Sequence, residues 1–575
     1  MIRSMAYGSR RPTHIVAIPY PAQGHIVPLM QLCKKLAKEE GFMVTFVNTE
    51  HNHARMMQAQ AVGSQLRREY IGDNGGVIAK NNIRLVGIPG GLPPELHGDP
   101  AHVVDVFQAS EDLLNPFEKL LDKLAQDGEP ATCIISDVLM SWTQECADKV
   151  GVPRVALWTS SAAVYHVIWH MYGLISQGIP TLKVANVVFE NNSTEMVSCI
   201  PGLPPMDLND LPIIVRSDPG DFIYQFLSRQ LQPMLRAAAV LLNTFAELEP
   251  DCLHALLSTF PIPIYPIGPL LPTVSATDST ANDALQHLTN GILQVEVQYK
   301  SKDSQYSMPQ YSIATPSTSA SIYAISKVGN HPAVKVGEKA SAATNFSNGG
   351  IFNEDVSCLQ WLDKRESRSV LYISFGSIFA MSPEQFIELL EGLQASRQAF
   401  LWAIRPGFIQ GWSSYANLLP PSFLENIEDR GLLVSWVPQL SVLAHPAIGG
   451  FLTHCGWNST LESVTLGVPM LCWPDVGERR TNGRLAVSLW EAGLEFSCSI
   501  SKQTKSLLIA RQEVKRVILL LMDPYSHAAA RLRIKASLLK ASAGNALAEN
   551  GSSWSAWNLF LKQIEQAQIG DISHN

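Results

Sequence analysis

The chain has 575 residues, 46% of them apolar and 16% charged, and carries a formal net charge of −8. That length exceeds one ordinary core and that composition can fill two, which argues against a disordered protein or a single small module. The acidic balance argues against a nucleic-acid partner, which would call for a basic face.

Nine cysteines are scattered without a Cys-x-x-Cys pair. Neither a zinc site nor a disulfide framework is indicated, and a reducing, cytoplasmic compartment fits best. The first apolar run, residues 14–19, is only strand length, so it is not read as a signal peptide. No stretch approaches the roughly 20 apolar residues of a membrane span.

In chain order, residues 14–19 read as a buried parallel strand. A Pro/Gly turn to His25 follows, then a helical pattern over 26–40 closed by Gly41, then a strand over 42–47. That β-α-β unit points to a doubly wound α/β domain. The pattern recurs with a strand at 132–136, a helix at 142–150 and a strand at 155–158, and residues 240–243 and 263–267 end this half. A second series follows: strands at 370–374, 400–404, 432–436, 450–453 and 470–473, with a helix at 383–396. Between the halves, residues 273–350 are rich in serine and threonine and lack sustained periodicity, so they read as a disordered linker or insertion. A short apolar run at 320–325 is the one candidate strand inside it. The predicted division is 1–272, 273–350 and 351–575, with a helix at the C-terminal end that packs back on the first domain.

The densest chemistry lies in the second half: Trp436-Val437-Pro438-Gln439, then Thr453-His454-Cys455-Gly456-Trp457-Asn458-Ser459, then Glu462. A strand ending at Thr453 and a helix starting at Ser459 would leave backbone N–H groups and a positive dipole end facing a diphosphate. Asn458 and Ser459 add side-chain donors, Glu462 can accept two hydrogen bonds from a ribose diol, and Trp436 can stack on a base. The other reading of Ser459-Thr460-Leu461-Glu462 is a capping box that merely closes the helix. His454 alone could equally be a turn histidine.

Taken whole, Trp436 to Arg479 resembles the plant secondary-product signature of the UDP-glycosyltransferase superfamily. It has the family's length and shares Trp436, Pro438-Gln439, His445-Pro446, Gly450, the full run Thr453–Ser459, Glu462, Gly467-Val468-Pro469-Met470 and Pro474. The resemblance implies an α/β GT-B fold, two Rossmann-like domains facing a cleft, with a UDP-sugar held by the second. It implies that Trp436 stacks on uracil and the Val437 backbone reads its edge. By the same likeness Gln439 and Glu462 take the ribose hydroxyls, His454, Asn458 and Ser459 hold the diphosphate, and Gly456 and Trp457 are among the UDP-sugar-binding residues. Ser377, in Ser374-Phe375-Gly376-Ser377, lines the same pocket. Thr159 contacts the donor sugar, and Glu478 and Arg479 face its ring.

Residues 19–28 resemble the family's first βα loop, which makes His25 the catalytic base and Asp137 its partner. The physical logic is independent: a helix start disfavours imidazolium and keeps the ring basic, and a carboxylate orients it. Taken alone, Asp137 also suits a helix N-cap and His25 a turn. The implied reaction is an inverting transfer to a small hydrophobic acceptor bearing a hydroxyl, with no metal and no other cofactor, in a monomer. Two rivals stand beside it. A nicotinamide-dependent oxidoreductase wants Gly-x-Gly-x-x-Gly after the first strand, where this chain has Pro21-Ala22-Gln23-Gly24-His25; a non-catalytic UDP-sugar-binding protein shares every donor-side feature.

Two departures from the family matter. The linker is long, and it is either a genuine insertion or, over about 283–337, translated intron between matching flanks. Arg479 stands where most members have Gln, and arginine only donates. It either pairs with Glu478 or Asp475, leaving UDP-glucose as donor, or meets a carboxylate-bearing donor such as UDP-glucuronate.

Overall fold

The computed structural model describes residues 12–59, 82–91, 103–176, 196–272, 351–500 and 507–572, apart from scattered positions at 199–219 and 413–428 and residue 476. The expectations for 273–350, including the run at 320–325, lie outside the described residues.

Among the described residues two parallel sheets dominate. The first has seven strands in the order β3-β2-β1-β4-β5-β8-β9: β1 (Thr13–Ile18), β2 (Phe42–Thr49), β3 (Ile83–Ile88), β4 (Cys133–Asp137), β5 (Arg154–Trp158), β8 (Ala239–Leu242) and β9 (Ile264–Pro266). A small antiparallel pair, β6 (Met196–Val197) and β7 (Met206–Asp207), stands apart. The second sheet runs β12-β11-β10-β13-β14-β15: β10 (Val370–Ser374), β11 (Ala399–Ala403), β12 (Gly431–Val434), β13 (Ile448–Thr453), β14 (Met470–Cys472) and β15 (Gly493–Glu495). Continuous apolar runs become strands buried on both faces, as parallel sheets require. β1 and β10 are buried along their whole lengths.

Both sheets reverse their strand order beside their first strand, between β1 and β4 and between β10 and β13. Loops leaving the carboxyl ends of strands at such a point form a crevice where ligands bind. The two sheets belong to one compact unit. An apolar cluster joins Tyr165, Phe245 and Leu248 of the first half to Trp457, Leu461 and Trp490 of the second. The helix Ser552–Ile572 lies against the first sheet, where Trp557 and Phe560 join the cluster around Ile15 and Leu157 and Gln563 donates to the Ala238 carbonyl at 3.0 Å. No described helix is long and apolar enough to cross a membrane.

Candidate active site

The loop after β1 turns at Pro21, and the following helix, Gln23–Leu36, starts three residues earlier than its apolar pattern suggests. His25 therefore sits inside the first turn, its N–H donating to the Ala22 carbonyl at 2.9 Å. Asp137, the last residue of β4, is buried. Its Oδ2 lies 2.7 Å from His25 Nδ1, and its Oδ1 accepts the Leu139 N–H at 2.9 Å. Thr159, just past β5, brings Oγ1 within 3.0 Å of the same ring nitrogen. Nδ1 thus carries the proton toward the carboxylate. Nε2, which makes no hydrogen bond among the described residues, keeps its lone pair on a side chain that is 26% exposed.

Electrostatics here differ from the expectation for a helix start. Burial works to lower the His25 pKa, but the charge and hydrogen bond of Asp137, with the charge of Glu478, outweigh it and hold the ring above its usual value. A helix end offers about half a charge, spread over several groups, whereas Asp137 offers a full one in contact. Asp137 is also no helix N-cap, since the next helix begins at Thr143.

The second half supplies the other wall. The helix Trp457–Leu466 begins two residues before Ser459, with Gly456 as N-cap and no side-chain cap. That removes the capping-box reading: Ser459 lies in the first turn, and its Oγ accepts from Gln439 Nε2 at 2.9 Å. The same amide donates to Glu462 Oε2 at 2.5 Å, while Tyr372 donates to Gln439 Oε1 at 2.9 Å. Burial pushes the Glu462 carboxyl up to about 7; the Gln439 bond opposes that and the nearby Glu354 charge adds to it. Trp436 stands two residues beyond β12, and one indole face stacks on Phe352 with centroids 4.4 Å apart. Phe352 and Glu354 directly follow the segment without periodicity, so no pattern in the sequence singled them out. Val437 is buried in the core of this half.

His454, just past β13, is buried, and burial followed by the Arg479 charge holds its pKa well below the usual value. The ring is therefore neutral at pH 7. It lies between two glycines: a Cβ on Gly376 or on Gly456 would come within 2.5 Å of Nε2. Cys455, between His454 and Gly456 in the chain, takes φ +63°, a left-handed conformation that is strained for any residue but glycine. Ser377 follows Gly376 and is half-buried. The Trp457 indole turns away from the helix start, donating to the Asn243 carbonyl at 2.7 Å. Arg479 is 13% exposed, and its Nη1 meets both carboxylate oxygens of Asp475 at 2.7 and 2.6 Å. Glu478 acts electrostatically on His25, so the end of the second half's signature lies close to that ring. Among the described residues no group of three or more His, Cys, Asp or Glu side chains could hold a metal.

One contact joins the halves next to His25. Asn458 Nδ2 donates to the Gly24 carbonyl at 2.9 Å. In a regular helix that carbonyl would accept from residue 28, but residue 28 is Pro28, which has no N–H. The proline thus frees the carbonyl that Asn458 takes. In Pro28→Ala the alanine N–H competes for it. Melting temperature is expected to hold while kcat falls by up to roughly tenfold, the worth of one hydrogen bond. Wild-type kcat in that variant would remove the contact from the mechanism.

Comparison with known proteins finds relatives over both halves of the chain. A family model described as glycosyltransferase, N-terminal domain, matches residues 12–174, and one described as UDP-glucoronosyl and UDP-glucosyl transferase matches residues 352–517. Linamarin synthase 1 of Manihot esculenta is 33% identical over 559 residues, 96% of this chain and 97% of its own. The 7-deoxyloganetin glucosyltransferase of Gardenia jasminoides is 37% identical over 508 residues, covering 86% and 88%. The (R)-mandelonitrile beta-glucosyltransferase of Prunus dulcis is 34% identical over 560 residues, covering 97% and 98%. The solved structure of Phytolacca americana UGT2 complexed with UDP-2fluoro-glucose and pterostilbene matches with a TM-score of 0.66 at 26% identity, over 96% of this chain and 100% of that one. The chain belongs to the plant family 1 UDP-glycosyltransferases, enzymes of GT-B fold that use a UDP-sugar as donor.

Proposed function

We propose that the protein transfers glucose from UDP-glucose, with inversion, to the hydroxyl of a small hydrophobic metabolite. The observation that carries this is the His25–Asp137 pair at 2.7 Å, joined to the second half through Gly24 and Asn458. His25 Nε2 takes the acceptor proton as the oxygen attacks the anomeric carbon. The bond from that carbon to the diphosphate breaks, UDP leaves on the opposite face, and no covalent sugar–enzyme intermediate forms. Asp137 offsets the imidazolium as it forms. The departing diphosphate meets the open N–H groups of the Trp457–Leu466 helix, Asn458, Ser459 and the neutral His454, so the mechanism asks for no metal. Trp436 presents its free face to uracil, Val437 its backbone, and Glu462, held by Gln439, the ribose diol. Thr159, Ser377 and Glu478 complete the sugar side.

Glucose is favoured over a carboxylate-bearing donor because Asp475 already occupies the Arg479 guanidinium. The relatives named for mandelonitrile and deoxyloganetin support a small acceptor. The division into an acceptor domain over 1–272 and a donor domain over 351–575 is part of the same proposal. The test is UDP-glucose with mandelonitrile, 7-deoxyloganetin and pterostilbene, following UDP release and the anomeric configuration of the product, with and without chelator. A β-glucoside formed at a chelator-independent rate is expected. An α-glucoside, or loss of activity on chelation, overturns the mechanism.

A further inference from the structure

β5 opens with an arginine in a strand that is otherwise Val-Ala-Leu-Trp. Arg154 pairs in register with Ile134, and its side chain runs along the sheet toward the end of β4. It is 1% exposed, among the largest fully buried side chains of the protein. Nε donates to Ser136 Oγ at 2.8 Å and Nη2 to the Asp137 carbonyl at 3.3 Å, whereas Nη1 has no partner among the described residues. Ser136 Oγ is tied in turn to Thr143 Oγ1 at 2.7 Å, and that hydroxyl donates to the Met140 carbonyl at 2.6 Å. Burial lowers the Arg154 pKa to about 10, against the opposing pull of Asp137 and Tyr165, so it remains a cation at neutral pH.

A buried cation with an unpaired donor is costly unless its charge and its other donors are matched by what lies beside it. What lies beside it is the end of β4. The Ser136–Asp137 segment that Arg154 holds carries the carboxylate that orients His25.

We propose that Arg154 is a positioning residue for the catalytic base: its guanidinium fixes the end of β4 and balances the Asp137 charge, so that Asp137 orients His25 without binding its proton too tightly. This rests on the assignment of His25 and Asp137 made above. The groups that face His25 are Asp137 from β4, Thr159 from the loop after β5, Tyr20 at 5.1 Å between ring centroids, and Glu478 from the second half. Two of these are anionic. Arg154 is the cation whose charge meets Asp137. Without it the imidazolium gains stability, and His25 stays protonated to higher pH.

The experiment compares wild type, Arg154→Met, Arg154→Lys and Asp137→Asn. The His25 titration is followed by NMR on histidine-labelled full-length protein, its signal identified by its loss in His25→Ala; this readout needs no acceptor. In parallel, kcat is measured against pH with UDP-glucose and the acceptor best used among mandelonitrile, 7-deoxyloganetin and pterostilbene. Arg154→Met is expected to titrate His25 at higher pH and to lose roughly 10- to 100-fold in kcat at pH 7, the range for a hydrogen bond from a charged donor, measured at a temperature where the variant is folded. Arg154→Lys keeps the charge but not the fork, so it loses kcat with little change in the His25 midpoint; it decides the matter if the methionine variant does not fold. An unchanged midpoint and unchanged kcat in a folded Arg154→Met, or wild-type kcat in Arg154→Lys, overturns the proposal. Full activity in Asp137→Asn overturns the dyad itself and this proposal with it. A severe loss there beside a normal Arg154→Met overturns this proposal alone.

Discussion

Transfer by His25→Ala is expected to fall about 10²–10⁴-fold, the usual cost of losing a general base, while UDP binds as it does to wild type. The two effects separate because the ring stands on the first sheet, whereas the groups assigned to UDP stand on the second. A loss confined to the chemical step appears in kcat, not in nucleotide affinity. The pH dependence adds a check of sign. Asp137 and Glu478 hold the His25 pKa above its usual value, and the protonated ring has no lone pair to offer. The acid limb of kcat/KM should therefore lie above the ordinary histidine range, with activity rising as pH rises through it. An acid limb below that range, or a His25→Ala enzyme that keeps most of its turnover, would remove His25 from the mechanism.

The second large effect is expected from Gly376→Ala, one methyl group on the far side of the site from His25. The Cβ would stand 2.5 Å from His454 Nε2, at a backbone φ of +68° that alanine adopts only with strain. Either the loop after β10 or the imidazole must move, and the imidazole is the proposed diphosphate donor. Overpacking of this kind costs about 1–3 kcal/mol, which becomes roughly 5- to 150-fold in UDP affinity if the ring gives way. Calorimetric titration with UDP reads it directly. Gly544→Ala is the control, since a Cβ there meets nothing within 4 Å. UDP affinity equal to wild type in Gly376→Ala would show that the ring can shift at no cost and that its place between the glycines is not what binds the nucleotide.

Much of the fold was legible because parallel strands buried on both faces appear as apolar runs, and β1, β4, β10 and β13 are such runs. The edges were not. β3 carries the exposed Arg84, a glycine at Gly87 and a position at the rim of the sheet, and the three residues of β15 are too few for any period to show. Helix starts are hard to read where polar residues or glycine fill most of the first turn, as with Gln23-Gly24-His25 and Asn458-Ser459-Thr460. The second case kept a capping-box reading open until the N-cap proved to be Gly456.

The sequence by itself determined the type of fold, the family and the chemical groups, because local periodicity and the spacing of a motif are properties of the chain alone. Only the tertiary structure decided what those groups meet. Asn458 lies 434 positions from Gly24, and nothing in either segment says that Pro28 leaves a carbonyl for it. Arg479 had two readings, and packing turned it onto Asp475. His25 was expected to be kept basic by a helix dipole, yet its proton affinity is governed by a carboxylate from another strand at 2.7 Å. Full charges in contact outweigh the partial charges of local backbone, and contact between distant segments is made by folding, not by order along the chain.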